Sequence, residues 1–134
     1  MASHTVFALT GFIAWALFLL ILMEVIRAYF VSIRQVAANA FKPDNSGLPP
    51  FMQRLARAHM NCIEGLPIFG GLMAVAIMTM RTDVTDGLAY WVLAARVAQS
   101  SIHLASGSET AATLRFLAFA VQLVIAVYWV FKLS

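Results

Sequence analysis

Four apolar stretches decide what this chain can fold into. They cover approximately residues 6–33, 53–80, 88–105 and 111–132. About 20 apolar residues are enough to cross the hydrocarbon core of a bilayer as a helix. Lipid offers the backbone no hydrogen bonds, so each crossing segment must satisfy its own, and a helix does so. The chain has 134 residues, of which 62% are hydrophobic and 11% charged. A soluble domain carries roughly a quarter charged residues. The sequence therefore predicts an all-α integral membrane four-helix bundle in one domain, residues 1–134. Short connections make sequential helices antiparallel neighbours.

Several function classes lose support at once. The net charge is +3, with no basic tract interleaved with aromatics, so nucleic acid is not an expected partner. The lone Cys62 can form no intramolecular disulfide. CxxC, HExxH, GxGxxG and Walker patterns are absent, leaving metal and nucleotide sites without sequence support. The run Val6–Met23 has no basic segment before it and no small-residue cleavage site after it, so it reads as a retained span.

Polar residues punctuate the spans. Glu24 and Arg27 stand at i, i+3 and can pair, although a lone carboxylate in a first span also fits proton-coupled transport. Residues 35–53 form the long loop, in which Pro49-Pro50 argues against helix. Pro67 can bend span two. Residues 81–87 form a polar connection, with Asp86 placed to cap span three. Arg27, Arg34, Lys42, Arg54 and Arg57 flank the 1–2 connection and Arg115 the 3–4 connection, against Arg81 and Lys132 elsewhere. The positive-inside rule then puts those two connections in the cytoplasm and both termini outside.

Two helical faces carry the candidate chemistry. Arg57, Asn61 and Glu64 stand at i, i+4, i+7 on span two. Arg96, Gln99 and His103 stand at i, i+3, i+7 on span three. Arg34 closes span one and Arg115 opens span four at the same end. These placements predict one polar cavity near the cytoplasmic face to which every span contributes. Its excess of guanidinium suits a small anion with several carboxylates, and Glu64 can accept from an ammonium. Alternatively, Glu64 pairs with Arg57 or Arg96 and fixes helix packing. His103 can orient a nucleophile or bond a backbone carbonyl. His59 and Cys62 lie off the Asn61 face.

The motif Arg57-x-x-x-Asn61-x-x-Glu64-x-x-Pro67-x-Phe69, with Arg96-Val-Ala in span three and Arg115 opening span four, resembles the MAPEG family, the membrane-associated proteins in eicosanoid and glutathione metabolism. The resemblance extends over essentially the whole chain. It implies a homotrimer of four-helix subunits with glutathione bound between neighbours near the cytoplasmic face. On that pattern Arg57, Asn61 and Glu64 contact glutathione, Arg96 lies in the inner polar cavity and Gln99 occupies a glutathione-contacting position. Arg34 and Arg115 resemble the arginines that hold glutathione's carboxylates or activate its thiol. Two positions depart from the pattern: His103 stands where many members have tyrosine, and Phe116 where prostaglandin-synthase-like members have serine.

The resemblance implies a glutathione transferase or peroxidase of a bacterial inner membrane. Arg115 would stabilise the thiolate, His103 would assist, and a lipophilic electrophile or hydroperoxide would arrive from the bilayer between spans one and four. The competing expectations are a binding or scaffold protein of the same fold, and a small exporter built on Glu24.

Overall fold

The computed structural model describes residues 3–134. Its four helices are α1 (His4–Ser32), α2 (Pro50–Met78), α3 (Thr82–Ala105) and α4 (Glu109–Leu133). The helices α1, α2 and α4 are long and apolar enough to cross a membrane. The 24 residues of α3 span about 36 Å at 1.5 Å per residue, so length is not what sets α3 apart. Its polar residues do, and packing shelters them. α3 lies against α1, α2 and α4, whereas α1 and α4 do not touch among the described residues. The bundle is therefore built around the α2–α3 pair, with α1 and α4 flanking it.

Contacts at the two ends fix the antiparallel order. At one end the Arg81 guanidinium donates to the carbonyls of Lys132 (2.5 Å) and Leu133 (3.1 Å), joining the 2–3 turn to the end of α4. There, too, the Asp86 carboxylate accepts from the Thr5 backbone N–H at 2.9 Å and from its hydroxyl at 2.5 Å. At the other end Arg54 donates to the Leu104 carbonyl at 3.1 Å, so the start of α2 meets the end of α3.

Two expected boundaries move. Asp86 does not cap α3, which begins at Thr82. It lies inside α3 and serves an unpaired first-turn donor of α1. Pro50 is not a barrier to α2; it occupies the helix's first turn, where its missing N–H is no loss. Pro67 lies within α2, which runs on to Met78.

Glu24 and Arg27 form the expected pair, at 3.3 Å. Arg27 does more than pair. It donates to Asn45 Oδ1 at 3.0 and 2.5 Å and to the Lys42 carbonyl at 3.0 Å, while Asn45 Nδ2 donates to the Met52 carbonyl at 2.6 Å. Asn45 is buried and takes a positive φ of 58°, which asparagine tolerates better than most residues. The long loop is thus clasped to α1 and α2 through one amide. Nearby, hydrogen bonds from Ser46 hold the exposed Asp44 carboxyl below its ordinary range.

The core joins Phe12, Leu19, Leu55, Phe69, Met73 and Trp129. Large apolar side chains such as Phe7, Ile13, Phe18, Val124 and Phe131 are exposed on the outer helices, as a bilayer or a second subunit requires. Asn45→Ala removes a buried donor and a charge-bonded acceptor together. It should lower stability in detergent by about 1–3 kcal/mol and speed proteolysis within residues 33–49. Glu24→Gln, at an exposed pair, should change stability by less than about 1 kcal/mol.

Candidate functional site

Between α2, α3 and α4 lies a cavity of about 370 Å³. Asn61, Glu64 and Gly65 line it from α2, Arg96 and Gln99 from α3, and Phe119 from α4. Ile68 and Phe69 add an apolar side. Small-molecule sites of roughly 300–1,000 Å³ are usual, mostly apolar with a few converging polar groups. Four of the residues singled out by helical spacing, Asn61, Glu64, Arg96 and Gln99, therefore share one wall system.

Arg96 dominates it. The residue is 0% exposed, and none of its three guanidinium nitrogens has a hydrogen-bond partner. The cation lies over three phenyl rings, with centroids at 5.4 Å for Phe12, 5.8 Å for Phe69 and 5.9 Å for Phe119. Ring quadrupoles attract a cation, but each contact is worth on the order of 1 kcal/mol, well short of the desolvation of a buried charge. Glu64 does not neutralise it: the one ion pair among the described residues joins Glu24 and Arg27. The packing alternative for Glu64 is thus not realised within the chain. Gly65 makes the space, since a Cβ there would stand 2.7 Å from Arg96 Nη2.

A second tier lies one turn, about 5.4 Å, nearer the end that carries the 1–2 and 3–4 connections. Arg57 precedes Asn61 by four residues, His103 follows Gln99 by four and Arg115 precedes Phe119 by four. His103 is 4% exposed and lies close enough to Arg115, Arg57 and Arg54 for their charges to act on it. Arg115 is partly buried, with Nε enclosed and unpartnered. Arg57 is exposed and, with Arg54, borders a separate depression of about 160 Å³. This tier holds cations and an imidazole but no carboxylate.

Arg34 stands apart. It is exposed at the end of α1, with φ 61°, and lines neither hollow. The cavity expected to draw polar groups from every span thus draws them from three. Glu24 and Arg27 of α1 fall toward its end, where Arg27 holds the loop, and α1 contributes only the Phe12 ring beside Arg96. Cys62 is buried in the core and does not line the cavity.

Helical spacing does not reveal Gln122, which is 0% exposed and whose Nε2 donates to Gln99 Oε1 at 2.9 Å. A single amide inside the otherwise apolar α4 was the available signal. Nor does spacing reveal Gly65, whose role depends on a neighbouring helix.

Arg96→Met replaces an unpaired buried charge by an apolar chain of similar reach. Its thermal midpoint in detergent should equal or exceed wild type, because no partner is stranded by the change. Gly65→Ala, which crowds both Arg96 and Phe69, should cost about 1–3 kcal/mol in the same measurement. A lower midpoint for Arg96→Met would show that the cation has a stabilising partner.

No curated protein and no solved structure matches the chain significantly. The sequence profile of the MAPEG family matches residues 5–133, nearly the whole chain and all four helices. With its membrane-length helices and the span-two motif facing a buried arginine, this chain belongs to the MAPEG family, whose members generally use glutathione.

Proposed function

We propose that the protein is a glutathione-dependent membrane enzyme, a transferase or peroxidase acting on lipophilic electrophiles or hydroperoxides. The observation that carries this reading is the unpartnered, fully buried Arg96 in the wall of a 370 Å³ cavity, with a carboxylate-free cationic tier one turn away. An anion is the natural complement of such a site. Glutathione fits the donor set, with two carboxylates, one ammonium and amides between them. Arg57 and Arg96 would receive carboxylate or carbonyl oxygens, Glu64 the ammonium, and Asn61 and Gln99 the peptide groups.

Glutathione supplies the nucleophilic sulfur. Arg115 favours thiolate over thiol by placing a fixed positive charge beside it. His103, buried next to Arg115, would take the thiol proton and pass it on toward water. In transfer, sulfur bonds to the electrophilic carbon while the leaving group departs with its electron pair. In peroxide reduction, two thiols and one hydroperoxide give an alcohol, water and glutathione disulfide.

Assembly as a homotrimer completes this reading. α1 and α4 do not meet within the chain, so a substrate passing between them from the bilayer passes between subunits. Arg34, exposed and remote from its own cavity, is then available to a neighbour's site. The charge asymmetry of the connections supports a cytoplasmic location for this end of the bundle.

The test is calorimetry with glutathione together with conjugation of a chlorodinitrobenzene acceptor in detergent. Arg115→Ala should lower kcat by about 10²–10³, as loss of a preorganised charge at the reacting atom does, while thiol binding persists. Arg57→Ala should raise KM for glutathione with a smaller effect on kcat. Absence of binding at millimolar glutathione would overturn the proposal. One observation favours a second reading: Arg115 is not in the cavity lining. A non-enzymatic binding protein would hold glutathione without turnover and be indifferent to Arg115→Ala.

A further inference from the structure

Gln122 makes two hydrogen bonds that together fix more than its own position. It lies deep in α4, 0% exposed, flanked by apolar residues from Leu117 to Ala126. Its Nε2 donates to Gln99 Oε1 at 2.9 Å and to the Ala118 carbonyl at 3.1 Å. A backbone carbonyl can only accept, so the end of the Gln122 amide that touches Ala118 is its NH₂. The usual ambiguity between the two ends of a glutamine amide is thereby removed. The atom that Gln99 turns toward this NH₂ must in turn be its oxygen. The NH₂ of Gln99 is then the end left free, and Gln99 lines the cavity.

This arrangement has a cost. Gln122 Oε1 is buried with no hydrogen-bond partner. An apolar residue would fill the same place without that loss, since an unpaired buried acceptor is destabilising. A residue chosen for packing would not carry it.

We propose that Gln122 is a positioning residue: it holds the Gln99 carboxamide with its N–H groups toward the cavity, so that the α3 wall donates only. Arg96 has five N–H groups and no acceptor, and Gln99 held in this way adds two more. Across the cavity Glu64 only accepts when ionised, and Asn61 does either. A ligand carrying both a carboxylate and an ammonium then has one orientation, oxygen toward α3 and nitrogen toward Glu64. Gln122 selects such ligands without touching them. The choice of glutathione as probe rests on the function proposed above; the orientation of Gln99 does not.

The experiment uses the full chain in detergent micelles, with Gln122→Met as an apolar chain of similar length. Kinetics with glutathione and chlorodinitrobenzene are compared for wild type, Gln122→Met, Gln99→Ala and the double variant. KM for glutathione should rise roughly tenfold in Gln122→Met, the loss of one oriented donor. Turnover at saturation should stay within about twofold, the signature of lost ground-state binding. In the Gln99→Ala background the Gln122 substitution should have no further effect on KM. Full additivity, or a fall in kcat at unchanged KM, would overturn the proposal. A ligand-free measurement accompanies it: the ¹⁵N side-chain amide signals of Gln99 should shift in Gln122→Met, and unchanged signals would also overturn it. If wild type neither binds nor turns over glutathione, the proposed function fails, and these signals still decide the role of Gln122. Should Gln122→Met not fold, Gln122→Leu removes the donor with a shorter apolar chain and is read by the same resonances.

Discussion

A guanidinium with no counter-charge, enclosed by helices, is the constraint to which the rest of this molecule answers. Arg96 is fully buried and bonded to nothing, with three phenyl rings as its nearest compensation. Arginine does not shed its proton under such conditions, so the charge must be tolerated by its surroundings. The three rings come from three different helices, α1, α2 and α4. Each other helix therefore adapts to one residue of α3. Gly65 adapts on α2 by having no side chain where the guanidinium passes.

The same logic explains why α3 can lie within a membrane bundle. Taken alone it is the least apolar of the four, and only the other three meet the length and composition of a membrane span. Its polar groups are sheltered rather than removed. Thr85 bonds Thr5, and Asp86 caps the start of α1. Gln99 accepts from Gln122 and the Leu104 carbonyl from Arg54. These contacts reach from α3 to α1, α2 and α4 and tie the bundle together along its axis. The Arg96 guanidinium has no such partner, and it faces the cavity beside Gln99.

Helical spacing made much of this legible. Residues at i, i+3, i+4 and i+7 share a face, so the Asn61–Glu64 and Arg96–Gln99 pairs could be read as converging before their distances were known. Apolar run length gave α1, α2 and α4 to within three residues but started α3 six residues late, because the polar residues read as a connection form its first turns. What period alone does not carry is depth and handedness of contact. It could not separate the turn that lines the cavity from the turn above it, so Arg57, His103 and Arg115 were merged with Asn61, Arg96 and Gln99. It could not show that Arg34 is exposed beyond the end of α1 and outside the cavity lining. Asp86 illustrates the same limit, because a carboxylate near a helix start reads as that helix's cap. Only packing reveals that it serves a donor 81 residues away. Gln122 and Gly65 were hidden for a further reason: each acts on a partner helix and belongs to no pattern on its own.

On the proposed function, the two tiers would divide the work of a membrane site. Exposed cations at the helix ends reach water and can collect an anion from it, since Arg57 and Arg54 border an open depression. Burial strengthens a charge's hold on a ligand because the surrounding dielectric is low. Arg96 lies in that stronger field, one to two turns deeper, at the cost of being unsatisfied when alone. A polar ligand that bridges the tiers would be captured where screening is strong and held where it is weak. The apolar side of the cavity, Ile68 with Phe69 and Phe119, faces the same space. On the proposed function, a lipophilic molecule and a charged one would meet there without either leaving its preferred surroundings. A four-helix bundle of apolar residues alone would offer no such junction; the polar face of α3 creates it.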